Sequence, residues 1–508
     1  MVIITLGGLA ACGPTYFAAA ADAEVGRMLA QSTTEVLGDR ADRVLQAEPN
    51  QPDPEAEAEG AEPEPAPMEI EAGAMDLDAA MRTGFVSNRD FLSQRENLTL
   101  QGLNTNLARF DFGPQLAASI NPFWSKFEAG PDQSDIDGTL RASQILPLGG
   151  TVALTGTLGA MDWRRSFGVQ IDQPLLRGFG YTVSHERLTQ AERNLVYEIR
   201  SFELFRQDFS ILLARRFFDL VSQQRTLVNE EANWQQAKFD REKDEALFRV
   251  ERNREEDVFR ARRREIETED ALIDAKVQFR RAVDNFKILL GLPTSTPIEI
   301  ADQTPPFEPV DIDLDSAVRA ARHNRLDLIT QRQQVEDAER NVRNVANGLL
   351  PDLNLQVAAD RDDPLGDDGP GFWSASASLD LEIPLQRTPE RNAYRAAQIS
   401  AERSRRAYTL ALDQLELDIR DQLRQLASAE QRIALQREQI EQQKRAVAIT
   451  QFKYEQGDAQ NRDLLEARQS LVDAQNLLIQ LQADHFVRRL QLLRDLGLLF
   501  VNEDGTWQ

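Results

Sequence analysis

The sequence predicts an α+β membrane protein with an internal tandem repeat, and three observations lead to this class. Residues 257–261 followed by Gly291 correspond to residues 463–467 followed by Gly497, at one constant offset along the chain. Each copy contains apolar residues that alternate with polar ones, a pattern typical of β-strands. Each copy also repeats apolar residues every seventh position over many turns, which predicts long coiled-coil helices.

Composition limits the classes of function. The net charge is −25 and hydrophobic residues make up 41% of the chain. This acidity argues against nucleic acid as a partner, because a phosphate backbone attracts basic surfaces. No run approaches the 18 or so apolar residues of a spanning helix. A bilayer would therefore have to be crossed by strands.

The N-terminal region predicts an anchor. Residues 1–12 are interpreted as a signal segment in which residues 9–12 resemble a bacterial lipobox, so that Cys12 would carry lipid. No Lys or Arg precedes the short apolar run, and a chance cysteine is the alternative. Residues 13–75 are interpreted as an anchor segment followed by an acidic, proline-rich linker.

The first repeat is predicted over residues 76–293. A short helix is expected from Leu77 to about Leu100. Strand alternation follows at 116–120, 152–158 and 167–171, and 132–138 is expected to be an exposed loop. A helix is then expected from about 184 to 250, with a second helix returning to Leu290.

The second repeat is predicted over residues 314–508, after a proline-rich connector at 294–313. Its short helix starts at Leu314, and its long helix is expected over about 389–454. One seam of that helix repeats every seven residues, which indicates a sustained coiled coil. The seam consists of Leu412, Ile419, Leu426, Ile433, Ile440, Val447 and Tyr454.

The clearest strand pattern lies at residues 373–383. From Trp373 to Ile383 every second residue is apolar or small, and the residues between them are Ser, Asp or Glu. An outer-membrane barrel strand has this pattern, with lipid on one side and water on the other. A half-buried strand of a soluble protein would show the same alternation, so the segment alone leaves both interpretations open.

Several motifs in order resemble the TolC-like outer-membrane efflux protein family over residues 77–498. They are Gln173-Pro-Leu and Ile383-Pro-Leu between strand and long helix, Asn347-Gly-Leu-Leu-Pro-Asp before a strand, and Tyr454-Glu-Gln-Gly with Asp463-Leu-Leu-Glu-Ala at a hairpin tip. The resemblance implies a homotrimer in which each chain gives four strands to a shared 12-strand transmembrane β-barrel. Long helices would continue it as a periplasmic coiled-coil barrel. Extra β-type sequence at about 140–160 would be longer strands or a loop hairpin outside the cell.

The resemblance also implies a function, a location and partners. The protein would be the bacterial outer-membrane channel of a tripartite efflux or secretion system, with its helical part in the periplasm. It would passively export small molecules or proteins that an inner-membrane transporter and a periplasmic adaptor protein deliver. No cofactor is implied.

The resemblance assigns the channel entrance to the helical tips. Asp463 and Glu466 match acidic positions that would ring the entrance and favour cations, although acids in a first helical turn are also stabilised by the helix dipole. Tyr454 and Asp257 match a pair that can hold the tip shut by a hydrogen bond. Where the family can carry a latch arginine, this chain has Ala459.

Three further tip residues are candidates for adaptor docking: Gly457, Ala467 and Leu471. Gly457 has a local explanation as a helix C-cap, and Ala467 and Leu471 could equally serve packing within the chain. For the missing arginine, Arg462, Arg252 and Arg254 are the substitutes nearby.

Two other classes of function compete with a channel. Catalysis is disfavoured because His185, His323 and His485 lie far apart and no metal-ligand spacing, phosphate loop or nucleophile elbow is present. A soluble periplasmic coiled-coil scaffold or adaptor is the stronger rival, since it explains the helices and the acidic surface. It does not explain alternating strands placed beside each helix.

Overall fold

The computed structural model describes residues 14–38, 74–125, 133–159, 164–252, 254–364 and 371–507. They form two compact units. The sheet unit comprises the described residues within 1–36, 97–200 and 327–411. The tip unit comprises those within 37–96, 201–326 and 412–508. Cys12 and most of the predicted linker lie outside the described residues.

Ten helices occur in these residues, and the two longest are the long helices that the heptads predict. They are α1 Pro14–Leu37, α2 Leu77–Ser87, α3 Arg89–Phe112, α4 Tyr181–Ser184, α5 Glu186–Arg249, α6 Glu255–Leu290, α7 Leu314–Asn324, α8 Leu326–Asn347, α9 Thr388–Gln456 and α10 Asn461–Asp495. With 64 and 69 residues, α5 and α9 are each about 100 Å long. The predicted short helices begin at Leu77 and Leu314, as expected.

The helix predicted to end near Leu100 is longer than expected and is broken once. Asn88 separates α2 from α3: its side chain accepts a hydrogen bond from the backbone of Phe91 at 2.7 Å and donates one to the carbonyl of Leu289 at 2.6 Å. An asparagine that bonds backbone groups in this way ends one helix and caps the next. The prediction missed the break because helical periodicity continues through it.

All described strands belong to one antiparallel sheet in the order in which they occur along the chain. They are β1 Gln115–Ser125, β2 Gln133–Ile145, β3 Thr151–Gly159, β4 Arg164–Pro174, β5 Asp352–Pro364 and β6 Phe372–Glu382. Four strands come from the first half of the chain and two from the second. The described strands of one chain form an open sheet, with β1 and β6 at its edges.

The prediction of four strands per chain is therefore wrong, because the described residues form six. The segment predicted as a loop at 132–138 lies largely in β2, where Asp137 pairs with Asn121 and Gly138 with Ile120. Three acids and a glycine within residues 132–138 indicated a loop. However, Asp137 falls on the polar side of the strand, so the alternation is intact.

The turn between β2 and β3 lies at the end of the sheet that is near the helices. It contacts the loop that leads from β4 into α5. The carbonyl of Leu148 accepts a hydrogen bond from the backbone of Gly180 at 3.1 Å, and the carbonyl of Pro147 accepts one from Ser184 Oγ at 3.1 Å. The hairpin that was expected to be longer strands or an external loop is thus a pair of full sheet strands.

In the tip unit, each returning helix ends against the short helix of its own half. Gly291 ends α6 with φ of +79°, and a Cβ there would lie 1.9 Å from the carbonyl oxygen of Ser87. Gly497 follows α10 with φ of +69°, and a Cβ there would lie 2.7 Å from Asn324. Only glycine fits both the left-handed backbone and the close approach.

The heptad seam of α9 packs as predicted. Ile419, Leu426, Ile433 and Ile440 are all buried. Gln436 is buried beside this seam and donates a hydrogen bond to the carbonyl of Ala474 on α10 at 2.8 Å. A polar group in a helix interface is stable only when it is bonded in this way.

Candidate functional site: an amphipathic sheet and a helical tip

One face of the sheet is apolar across all six strands. Residues directly opposite each other in an antiparallel pair point to the same side, so the register defines this face. Its apolar members are Leu116, Ala118 and Ile120 on β1, Ile136, Leu140 and Ala142 on β2, Val152, Leu154 and Leu158 on β3, Phe167, Val169 and Ile171 on β4, Leu353, Leu355 and Val357 on β5, and Trp373, Ala375, Ala377, Leu379 and Leu381 on β6.

In a single chain this apolar face is exposed. Leu116 and Trp373 are each 77% exposed, and Leu140 and Leu158 in the central hairpin are each 60% exposed. A soluble protein rarely leaves an apolar surface of this extent in water. The face therefore fits a lipid environment, which favours the membrane interpretation of the strand at 373–383.

The opposite face of the sheet is polar or small. Its members include Ser119 and Asn121, Asp137, Thr139, Arg141 and Ser143, Thr151, Thr155 and Thr157, Gln170 and Asp172, Gln356 and Asp360, and Ser374, Ser376, Ser378 and Asp380. Side chains of this kind are typical of a water-filled lumen. The sheet is thus amphipathic along its whole width.

Charged side chains also occur on the apolar face, but only at the end far from the helices. Asp363 on β5 pairs with Arg361 at 3.0 Å and with Arg165 on β4 at 3.6 Å. The polar boundary of a membrane tolerates charges that its middle does not. The positions of these charges therefore mark the outer limit of the apolar band.

Within the sheet unit, a buried carboxylate joins α5 to α8. Asp337 accepts hydrogen bonds from Tyr197 Oη at 2.6 Å, from Arg193 at 2.6 Å and from Arg340 at 2.9 Å. Burial and the bond to Asp337 raise the pKa of Tyr197 to about 12, against the opposing effect of Arg193. No sequence pattern indicates this cluster, because its four polar residues lie on α5 and α8, which α6 and α7 separate along the chain.

The turn between α9 and α10 is built from two helix caps. Gly457 has φ of +84°, and Asp458 N donates to the carbonyl of Lys453 at 2.8 Å, which completes the end of α9. Asp463 Oδ2 accepts a hydrogen bond from the backbone of Gln460 at 3.1 Å, in a capping box that starts α10. Gly457 and Asp463 therefore each have a local structural role.

The two predicted latch residues have other partners within one chain. Lys243 Nζ lies over the ring of Tyr454, 4.4 Å from its centroid, a cation–π contact. Asp257 forms an ion pair with Arg260 at 3.8 Å in the first turn of α6. A hydrogen bond between Tyr454 and Asp257 stays a prediction, and Lys243 was not among the predicted residues.

Two of the predicted entrance residues line one groove. Asp257 and Glu466 face a cavity of about 700 Å³ between α6 and α10. Four arginines line the same cavity: Arg260, Arg263, Arg264 and Arg462. Arg462, one of the suggested substitutes for the missing latch arginine, thus lines the same cavity as Asp257. Ala467 and Leu471 lie half-buried on α10, and their role in docking stays a prediction.

None of the described helices is both long enough and apolar enough to span a membrane. Within the same described ranges, His, Cys, Asp and Glu side chains form no group of three that could hold a metal ion.

Comparison with known proteins identifies the family. Residues 317–498 match the model of the family described as Outer membrane efflux protein. These residues belong to the outer membrane efflux protein family. The predicted family, efflux-channel function and outer-membrane location are thereby confirmed, and members of the family are transport channels rather than enzymes.

Solved structures show that the fold of outer membrane efflux proteins extends over most of the chain. The outer-membrane channel OprN is similar with a TM-score of 0.63 and 15% identity over 83% of this chain and 89% of that chain. The outer membrane protein VceC of Vibrio cholerae has a TM-score of 0.60 and 16% identity, over 83% and 96%. The MtrE outer membrane channel of Neisseria gonorrhoeae has a TM-score of 0.61 and 14% identity, over 83% and 89%. No curated protein matches the chain.

Proposed function

We propose that three copies of this outer membrane efflux protein join their sheets into one closed barrel in the outer membrane. The observation that carries the proposal is the exposed apolar face that runs across six strands. An open sheet cannot remain in lipid, because its edge strands leave backbone groups unbonded. One chain has too few strands to close around a water-filled lumen, whereas several copies can do so.

The long helices would continue the barrel into the periplasm as a coiled-coil tunnel, through which cargo moves passively. Both halves of the chain run in the order short helix, second helix, strands, long helix and returning helix. The glycine joints at Gly291 and Gly497 are alike in backbone conformation. These parallels support the proposal that the two halves are copies of one ancestral repeat.

Extraction and mass measurement test this proposal. The protein should fractionate with the outer membrane, require detergent for extraction, and have the mass of three chains in native mass spectrometry. In planar bilayers it should conduct ions. A monomer that dissolves without detergent would instead support the soluble scaffold and would end the channel proposal.

At the helical tips, a periplasmic adaptor protein would dock and an inner-membrane transporter would deliver cargo. Gly457 lies fully open, since a Cβ there would have no neighbour within 4 Å. Together with Ala467 and Leu471 it forms the proposed docking surface. Asp257, Asp463 and Glu466 would give the entrance its negative charge and so favour cations.

The latch proposal concerns the hydroxyl group of Tyr454. Replacing Tyr454 with Phe keeps the ring over Lys243 and removes only the hydroxyl that would bond Asp257. If the bond holds the tip shut, the conductance of Tyr454→Phe channels should rise while thermal stability is unchanged. Equal conductance in both proteins would remove the latch.

Lipidation of Cys12 is a separate proposal. The mature wild-type chain should carry the mass of a diacylglycerol group and an acyl chain, and Cys12→Ser should lack both. Because barrel insertion anchors the protein independently, Cys12→Ser should still be found in the membrane fraction. An unmodified Cys12 thiol in the mature protein would overturn the proposal.

A further inference from the structure

We propose that the barrel of this protein has eighteen strands, six from each of three copies, and is therefore wider than the twelve-strand barrel that the family resemblance implies. This inference rests on the proposed trimer and adds the contribution of the β2–β3 hairpin. The decisive question is whether that hairpin belongs to the wall or projects from it.

Hydrogen bonding places the hairpin in the wall. β2 is paired with β1 on one side and with β3 on the other, and β3 is paired with β4. The hairpin therefore lies between β1 and β4 and keeps them apart. A hairpin that projected outside the wall would leave β1 and β4 next to each other.

The hairpin also carries the side-chain pattern of the wall. Leu140 on β2 and Leu158 on β3 point to the same face as Ile120 on β1 and Phe167 on β4. On the other face, Thr139 lies opposite Thr157. A hairpin surrounded by water would not need an apolar face that continues the apolar face of the neighbouring strands.

The stagger of the strands matches that of a barrel. Moving from each residue to its partner on the next strand leads from Gln115, at the start of β1, to Ser376 on β6. The end of β6 that lies near the helices is Glu382, six residues further along the strand. A stagger of about six residues over about five strand spacings is a tilt of about 40°. Closed barrels have tilts of this size.

The free edges fit a second copy of the chain. β1 has no charged side chain from Gln115 to Asn121, and β6 has none from Phe372 to Leu379. Proteins usually protect an exposed edge strand with charges, because an unprotected edge pairs with other chains. If the helix ends of all strands lie at one height, Gln115 of one copy would lie beside Glu382 of the next.

The proposal has a measurable geometric consequence. With a strand spacing of about 4.8 Å and a tilt of about 40°, eighteen strands give a backbone diameter of about 36 Å and twelve give about 24 Å. Equivalent residues of three copies would then be about 31 Å apart in the wide barrel and about 21 Å apart in the narrow one.

Spin-label distances in the full-length protein test this consequence. A label is placed at Ala375→Cys on the apolar face or at Ser376→Cys on the polar face, in separate proteins that carry Cys12→Ser. The first label points outward and the second inward, so the mean of the two distances reports the backbone. We expect a mean of about 31 Å.

A deletion variant provides the control. Removal of residues 133–159 deletes β2 and β3. β1 runs away from the helices and β4 runs back towards them, so the two can pair as antiparallel neighbours and each copy would have four strands. The mean distance should then fall to about 21 Å. If this variant does not fold, the distance in the intact chain still decides between the two widths.

Cross-linking tests the contact between copies. Gln115 and Glu382 are at opposite edges of one sheet, so the double variant Gln115→Cys with Glu382→Cys should form disulfides only between copies. Covalent trimers should appear on non-reducing gels, and neither single variant should produce them. Intact trimers with a mean distance of about 21 Å would overturn the eighteen-strand barrel and leave the channel proposal standing. A protein that is not a trimer in detergent would overturn the channel proposal itself.

Discussion

The sheet and the helical tip carry functional information in different ways. In the sheet, one rule applies to every strand: apolar residues on one face and polar residues on the other, from Leu116 on β1 to Leu381 on β6. At the tip, each singled-out residue has its own local contact. Asp463 caps a helix, Gly457 ends one, and Tyr454 lies against Lys243.

This difference explains why an amphipathic sheet can be recognised in one chain and a docking surface cannot. Lipid imposes the same requirement on every outward position, so many residues report the same environment. A partner protein contacts a few residues once, and those residues can be explained equally well by capping and packing. Variants of the tip residues therefore have to separate a role in capping or packing from a role in binding a partner.

The largest expected effect is that of a charge placed on the apolar face. Ala377 lies in the middle of β6 on that face, and Ser378 is the next residue, on the polar face. Ala377→Arg should cost about 2–4 kcal/mol per copy, because arginine would be in the middle of the lipid layer. The folded fraction in lipid vesicles, read as a shift in gel mobility without boiling, measures this loss.

Ser378→Arg is the matched control. It introduces the same side chain one position away, where water is expected, and should cost less than about 1 kcal/mol. Equal losses for the two variants would mean that the two faces of the sheet do not have different environments. That result would remove the basis of the comparison between sheet and tip.

Much of the sheet could be predicted from the sequence. Alternation identified the strands around Ile120, Leu154 and Val169, and most clearly the strand that starts near Trp373. The prediction failed at β2, where Asp137 and Gly138 were interpreted as loop residues. The signal was present in the alternation of Ile136, Leu140 and Ala142, but acids on the polar face obscured it.

The tip could be predicted only in part, for a physical reason. Local sequence indicates a cap, so the role of Gly457 as a helix end was predictable. The contact between Tyr454 and Lys243 joins residues that are far apart in the sequence, and no pattern within either helix indicates it. Asp337 with Tyr197 is a similar case in the sheet unit, since the two residues lie on α8 and α5 and are 140 residues apart in the sequence.

The second prediction compares two glycines that have the same backbone conformation and different surroundings. Gly291 and Gly457 have φ of +79° and +84°, but only Gly291 has close neighbours. Gly291→Ala should lose about 3 kcal/mol or more of unfolding free energy, since backbone strain is joined by a clash with Ser87. Gly457→Ala should lose about 1 kcal/mol from strain alone.

Urea unfolding followed by helical circular dichroism measures both losses. An assay of efflux in cells that lack the wild-type protein then separates folding from docking. Gly457→Ala should reduce efflux more than its small loss of stability explains if the tip binds an adaptor. Full efflux by this variant would argue against a role of Gly457 in docking.

The third prediction concerns pH and the buried cluster within the sheet unit. The pKa of Tyr197 is about 12 in the folded protein and about 10 in an unfolded chain. A raised pKa means that the folded state holds the proton more tightly. The contribution of the Tyr197 hydroxyl to the free energy of unfolding is therefore fully present below about pH 10 and is lost as the pH rises towards about 12.

The unfolding free energy of the wild type relative to Tyr197→Phe should fall over that pH range by less than about 2.7 kcal/mol, the value of two pKa units, because water screens the partly exposed cluster. The phenylalanine variant keeps all other titrating groups, so the difference between the two proteins isolates Tyr197. A difference that stays constant with pH would mean that Asp337 does not act on this hydroxyl group.

The smallest expected effects separate capping from charge at Asp463. Asp463→Asn keeps an acceptor for the backbone of Gln460 and removes the charge, so it should cost at most about 0.5 kcal/mol. Asp463→Ala removes both and should cost about 1 kcal/mol.

If three copies of this carboxylate ring the entrance, both variants should reduce cation preference equally, as measured by the reversal potential across a salt gradient. Glu466→Gln should reduce it as well. Unchanged selectivity in all three proteins, with the stability loss confined to Asp463→Ala, would leave Asp463 as a helix cap only.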